Sequence, residues 1–456
     1  MLKQLLKTRP NTAILLYLLT PQLLEYGLQQ MNETIAATVR ANQFGAKTGE
    51  TLVVITTTGQ KLMLAGLGTT ADEADIAALP AQLGTDNYVL GFAPSGLERT
   101  RLAINWLLGC YRFERYQRNK TNLPKLWIPG ADIDAALAHA EAVALARDLI
   151  NTPANDMGTE ALEQAIRDLG KRFKAKVTSV VGDELLRQNY PMIHAVGRAA
   201  DQEPRLVHLV WGDERNPAIS LVGKGVVFDT GGLNIKSGGY MKLMKKDMGG
   251  AANALACAQL IMQANLPVFL NVFIPIVDNA ISKNAYRPSD ILPSRMGISV
   301  EIENTDAEGR LILADALTRA VEDQPELLVN FATLTGAART ALGPDLTPYF
   351  TASTKWAARL ETAAQAVNDP VWRMPLWAGY DASLNSDIAD ICHTSLGPMA
   401  GSITAALFLQ RFVADTPWIH FDIYAWVSKE RPGHPIGGEA QGSLAVFAML
   451  NEKYGP

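Results

Sequence analysis

Past residue 151, short unbroken apolar runs alternate with longer segments in which apolar positions recur every three or four residues. The runs ISLVG (219–223), VFLNVFIPIV (268–277), ISVEI (298–302), LLVNFA (327–332) and WIHFDIYA (418–425) predict strands, since such runs suit strands buried on both faces. Segments 248–264, 309–322, 355–367 and 402–413 predict helices. Strands and helices in alternation imply a parallel or mixed sheet covered on both faces, with ligands collecting beyond the carboxyl ends of the strands. Two polar segments fall at such ends: FDTGG follows GVV, and NTDAEG follows ISVEI.

Before about residue 112 the apolar runs are shorter and set among turn residues, as in TLVVIT (51–56) and YVLGFA (88–93), which predicts a smaller α/β domain. The run 13–19 follows basic residues and so imitates a leader peptide. Pro21 and Gln22 interrupt its continuation and no small-x-small cleavage pattern follows closely, so a first strand or helix is expected there. The alanine-rich segment 132–151 predicts a connecting helix, and LPKLWIPGAD (123–132) before it a linker. The expected organisation is α/β throughout: an N-terminal α/β domain over 1–122, linker and connecting helix over 123–150, and a larger domain over 151–456. No apolar stretch reaches the ~18 residues that span a bilayer.

Composition narrows the function classes. At 456 residues with 48% hydrophobic positions the chain can build two cores. A net charge of −5 offers no footprint for nucleic acid or an anionic membrane. Cys110, Cys257 and Cys392 are too few and scattered for a disulfide frame or a thiolate zinc site, so buried thiols and a cytoplasmic location are expected.

The chemistry concentrates in two segments. GKGVVFDTGGLNIKSGGYMKLMKKDMGGAANA carries Lys224, Asp229, Lys236 and Asp247, and NTDAEGRLILADAL carries Asp306, Glu308 and Arg310. Singly, each has an ordinary explanation. Thr305 and Glu308 have capping-box spacing, and Asp306 with Arg310 has that of an i,i+4 ion pair. Asp229-Thr230-Gly231 matches the aspartic peptidase triplet, but that chemistry needs a second, facing carboxylate, and the triplet occurs once. Neither a Walker A loop nor a dinucleotide fingerprint is present. Jointly, four carboxylates and three cations around glycine turns suit a pair of divalent ions.

With their spacings, a lysine, an aspartate five residues on, a lysine after seven, an aspartate after eleven, then Asp-x-Glu-x-Arg, the two segments resemble the paired signatures of the leucyl aminopeptidase (cytosol aminopeptidase) family. The likeness runs from WLLGCYRFERYQ (106–117) through NTPAND (151–156) and ATLTGA (332–337) to GSITAALFLQRFV (401–413) and HFDIYAW (420–426), and weakens before about residue 100. The resemblance implies a hexameric exopeptidase that takes peptides with a free amino terminus and carries two divalent ions, zinc or manganese, in a three-layer α/β/α catalytic domain. It implies that Asp229 and Glu308 bridge the ions, that Asp306 completes the tighter-held one, and that Lys224 and Asp247 complete the other. A lysine ligand must be neutral, and bringing its pKa from ~10.4 to below 7 costs about 4–5 kcal/mol, which only an adjacent metal offsets. Lys236 would polarise the scissile carbonyl and Arg310 would hold a bicarbonate serving as general base. Met244, Thr333 and Gly336 would form an apolar pocket for a leucine-like first side chain, with the Leu334 carbonyl bound to the substrate. Of the six histidines none lies in either signature, and His393, His420 and His434 are expected to be structural or surface groups.

The chain departs from the family pattern at three places: Thr230 stands where serine is frequent, Asp278 where glutamate is usual, and Lys245-Lys246 where one basic residue precedes a small or polar one. None removes a ligand. Two other functions fit less well. A DNA-binding role added to catalysis needs a basic stripe that the sequence does not show, and a non-peptide hydrolase such as a phosphoesterase lacks the arginine cluster a phosphate would want.

Overall fold

The computed structural model describes residues 1–30, 33–395 and 397–455. The chain forms two compact units, Met1–Ala144 with Lys429–Ile436, and Leu145–Ser428 with Gly437–Pro456. Among the described residues no helix is long and apolar enough to cross a membrane.

In the first unit, strands Thr51–Ile55, Lys61–Gly66, Ile14–Leu19, Asn87–Phe92 and Lys125–Trp127 lie side by side in that order. The first two pair antiparallel and the rest parallel. Side chains alternate across this sheet. Leu62 and Leu64 join Leu24 and Val39 of helices Pro21–Gln30 and Glu33–Ala41, whereas Met63 and Ala65 join Leu102 and Trp106 of helix Arg99–Gly109. The apolar run 13–19 is thus a strand. The stretch expected to be a linker is part of this domain: Lys125–Trp127 is an edge strand with Leu126 fully buried. Pro124 and Pro129 flank it and give it the look of a loop in sequence. Helix Ile133–Asn151 follows, the expected connecting helix, and the two units part within it.

The second unit is built on a mixed sheet whose order is Val371–Arg373, Thr347–Phe350, Trp418–Asp422, Leu327–Ala332, Ala218–Gly223, Phe269–Asn279, Arg205–Trp211 and Lys176–Val181. Gly225–Asp229 pairs with the far half of Phe269–Asn279. The central run from Trp418–Asp422 through Leu327–Ala332 and Ala218–Gly223 to Phe269–Asn279 is parallel, which explains its unbroken apolar character. One face packs Val222, Phe273 and Leu328 on helices Glu308–Glu322 and Gly401–Gln410. Against the other lies helix Gly249–Gln263, whose backbone presses so closely that a Cβ at Gly250 would meet the Phe331 carbonyl oxygen at 2.2 Å. This is a three-layer α/β/α arrangement.

One strand assignment differs. ISVEI supplies Ser299–Glu301, but these residues join Ile291–Pro293 and Ile391–Cys392 in a separate three-stranded sheet. The three cysteines are free and buried, as expected.

Helix Glu308–Glu322, which begins with a site carboxylate, is fixed in place by Asp315. This fully buried side chain accepts from the backbone N–H groups of Met192 (2.8 Å), Ile193 (3.3 Å) and Arg295 (2.8 Å), so it caps the helix Pro191–Gly197. Asp315→Ala leaves three backbone donors unpaired, two of them buried, and is expected to cost about 2–4 kcal/mol. Urea unfolding followed by tryptophan fluorescence should show a lower midpoint at unchanged slope, and an unmoved midpoint would contradict this account.

Candidate active site

Four stretches converge at the carboxyl ends of the parallel strands. Lys224 directly follows Ala218–Gly223, Asp229 ends its own strand, Thr333 follows Leu327–Ala332, and Asp247 lies in the 3-10 turn Met244–Met248 before helix Gly249–Gln263. The acidic segment containing Asp306 and Glu308 is held to them by Thr305. Its hydroxyl donates to the Gly231 carbonyl at 2.7 Å and accepts from the Asn234 N–H at 2.8 Å, while its own N–H donates to Asn234 Oδ1 at 2.9 Å. Asn279 Nδ2 donates both to Asp229 Oδ1 (2.8 Å) and to the Thr305 carbonyl (3.0 Å), and the Tyr286 hydroxyl donates to that same carbonyl at 2.7 Å. The turn that makes room is Gly231-Gly232, with φ of +87° and +61°. A Cβ at Gly231 would meet the Asn234 carbonyl oxygen at 2.5 Å.

These bonds overturn two expectations. Thr305 does not cap the helix, which starts at Glu308 after Ala307 without a side-chain cap, because its hydroxyl is engaged between the loops. Asp306 does not pair with Arg310. It pairs with Lys236, while Arg310 Nη1 donates to the His393 carbonyl at 2.8 Å.

The structure brings together Lys224, Asp229, Lys236, Asp247, Asp306 and Glu308. Lys224 Nζ lies 2.8 Å from Asp247 Oδ2 and 2.9 Å from Glu308 Oε1, and donates to the Thr333 carbonyl at 3.1 Å. Lys236 Nζ lies 2.8 Å from Asp229 Oδ2 and also pairs with Asp306. Asp229, Asp306 and Glu308 each offer an oxygen within 4.8 Å of the others. Two ammonium groups thus face four carboxylates, an excess of two negative charges in a mostly buried place.

The ionisation equilibria register that excess. Burial, then the nearby Asp229 carboxylate, pushes Asp306 up to about 6, and the same two causes raise Glu308. Burial would lower Lys224, but Asp247, Glu308 and Asp229 outweigh it and hold the ammonium well above its ordinary value. Both Glu308 carboxylate oxygens and Asp247 Oδ2 are buried without a hydrogen bond, even where Lys224 lies at ion-pair distance. Orphaned hard oxygens gathered so closely fit divalent cations.

The cage opens into a cavity of about 340 Å³. Met244, Thr333, Leu334 and Gly336 line it, as do Lys224, Lys236, Asp229, Asp247 and Asp306. Glu308, grouped with Asp229 and Asp306, and Arg310 are not among its lining residues. Thr333 also positions a cage residue, its hydroxyl lying 2.7 Å from Asp247 Oδ1. No histidine lines the cavity among the described residues. His393 is buried under Arg310 with ring nitrogens against the Glu301 and Asn304 carbonyls, and His420 stacks between Trp418 and Phe350. Burial, then the Arg310 charge, pulls both rings down to about 3, so they stay neutral at physiological pH.

Sequence reasoning singled out Lys246 only as a departure from the family pattern and did not find Arg339; both also line the cavity. The only signal was the doubled lysine before Asp247. Nor did it find Asn279 and Tyr286, whose polar atoms bind the loops; isolated in sequence, they carry no pattern.

A model of the cytosol aminopeptidase family's catalytic domain matches residues 144–446, and one of the M17 aminopeptidase N-terminal domain matches residues 14–129. The chain is 36% identical over 461 residues to a probable cytosol aminopeptidase of Syntrophotalea carbinolica, covering 93% of this chain and 92% of that one. The crystal structure of cytosol aminopeptidase from Coxiella burnetii is similar with a TM-score of 0.94 at 42% identity over 99% of both chains. The bottromycin maturation enzyme BotP in complex with Mn is similar with a TM-score of 0.87 at 30% identity, covering 97% of this chain and 99% of that one. Matched over both domains in order and sharing this architecture, the chain belongs to the cytosol aminopeptidase family and is a peptide hydrolase.

Proposed function

We propose that the cage holds two divalent metal ions, zinc or manganese, and that the protein releases the first residue of peptides with a free amino terminus. The observation that carries this reading is the group of buried carboxylate oxygens left without hydrogen bonds at the edge of an open cavity. Lys224, Asp229, Asp247, Asp306 and Glu308 would hold the ions. Bound there, the ions would polarise the scissile carbonyl and make water nucleophilic at neutral pH. The Mn in the BotP complex supports the choice of metal class.

The remaining roles fall to this chain's own groups. Lys236, on the cavity wall, meets the negative charge that develops on the carbonyl oxygen. Asp247 receives the substrate α-ammonium, which admits only the first peptide bond to the reacting position. Arg310, whose Nε is buried without a hydrogen bond, holds a bicarbonate as general base, since no histidine is placed for that work. The first side chain enters beside Met244, Thr333 and Gly336, whose apolar surface accepts a leucine-like residue, and the Leu334 carbonyl accepts a hydrogen bond from the substrate. The working form is a cytoplasmic homohexamer.

Hydrolysis of leucine amide by manganese- or zinc-loaded protein should be abolished by a chelator, and Asp306→Ala should lower kcat/KM by about a hundredfold or more. A variant that kept full, chelator-sensitive activity would refute the cage assignment.

Metal affinity should also rise with pH. The raised Asp306 and Glu308 carboxyls retain protons that must leave before they ligate, and Lys224 must lose one as well, so each proton competes with the metal at low pH. Competition titrations of manganese against a fluorescent chelator should show binding weakening steeply as pH falls from about 8 through about 6. Affinity that is flat across this interval would contradict it.

A further inference from the structure

We propose that Lys246 and Arg339 give this aminopeptidase a preference for peptides whose first residue is acidic. The proposal rests on the reading of the cavity as the site of first-residue release and names the class of side chain it favours.

Lys246 is 3% exposed yet lines the cavity, so what remains accessible of it faces that space. No carboxylate forms an ion pair with it, and none pairs with Arg339, among the described residues. Asp247, its neighbour in sequence, is engaged elsewhere, through Oδ2 by Lys224 and through Oδ1 by the Thr333 hydroxyl. Lys246 instead lies over the Tyr424 ring, its Nζ 4.9 Å from the ring centre, and the Arg339 guanidinium carbon lies 4.8 Å from the same centre. A ring face compensates a buried cation only partly. Two cations share one ring, and although the Asp247 charge acts on Lys246, no carboxylate lies at ion-pair distance from either among the described residues.

The same wall carries Met244, Thr333 and Gly336, the residues assigned to the first side chain, and a Cβ on Gly336 would sit 3.5 Å from Arg339 Nη2. A glutamate or aspartate side chain entering there would bring its carboxylate to the two cations. Its methylenes would cover Met244. Glutamine has the same shape without the charge, and a basic first residue would meet like charge.

The test uses the full-length, manganese-loaded protein and compares kcat/KM for the amides of glutamate, glutamine, leucine and lysine. Glutamate should exceed glutamine by about tenfold or more, with lysine the poorest. Lys246→Met should bring the glutamate-to-glutamine ratio close to one, and Lys246→Arg should keep it well above one. Because a ratio is read within each variant, a general loss of activity cancels. Should Lys246→Met not fold, judged by circular dichroism, Arg339→Met carries the test through the same ratio, expected to fall several-fold. A wild-type ratio at or below one, or ratios unmoved in the variants, overturns the proposal. So would a gain seen only on adding a free carboxylate at the far end of the peptide, as in Leu-Gly against Leu-Gly amide. Failure to cleave any of these amides would instead sink the aminopeptidase reading itself, whereas cleavage of leucine amide without the acidic preference sinks this inference alone.

Discussion

The site depends on an imbalance of buried charge. Four carboxylates are drawn into one cage by strands, a 3-10 turn and a helix start, and among the described residues only two ammonium groups, those of Lys224 and Lys236, lie at ion-pair distance from them. Each carboxylate pays heavily for leaving water unless a countercharge is near. Part of the strain appears in the raised protonation of Asp306 and Glu308, and part in the oxygens left without hydrogen bonds. An arrangement so poor in cations is stable only because the surrounding fold imposes it. The parallel strands end at fixed positions, and Thr305, Asn279 and Tyr286 tie the two acidic loops together by hydrogen bonds, of which only that from Asn279 to Asp229 uses a site carboxylate.

Much of the fold was legible because parallel strands at the centre of the sheet are buried on both faces. LLVNFA matches Leu327–Ala332 residue for residue, and ISLVG and VFLNVFIPIV fall within one or two positions of their strands. Legibility failed where an apolar run was short. ISVEI is a strand, but three paired residues cannot reveal which sheet they join, and Lys125–Trp127 is hidden between prolines.

At the site the acidic and basic residues of both signatures were legible as a set, because types and spacings recur together across a family. What the sequence could not convey was how each side chain is employed. Thr305 and Glu308 have the spacing of a cap, and Asp306 and Arg310 that of an ion pair, yet tertiary partners claim all four: loop amides for Thr305, Lys224 for Glu308, Lys236 for Asp306 and the His393 carbonyl for Arg310. Local pairing of this kind is worth only a few tenths of a kcal/mol. Contacts in a low-dielectric cage outweigh it readily.

The placement of the three free cysteines bears on how the molecule would age in air. Burial pushes the Cys110 thiol up to about 12, and it raises Cys257 and Cys392 as well. Nucleophilic attack and oxidation proceed through the thiolate, of which almost none then exists at neutral pH. Thiols buried in this way are shielded from alkylating agents for as long as the domains stay folded, so the appearance of a reactive sulfhydryl would serve as a sensitive reporter of the first loosening of the cores.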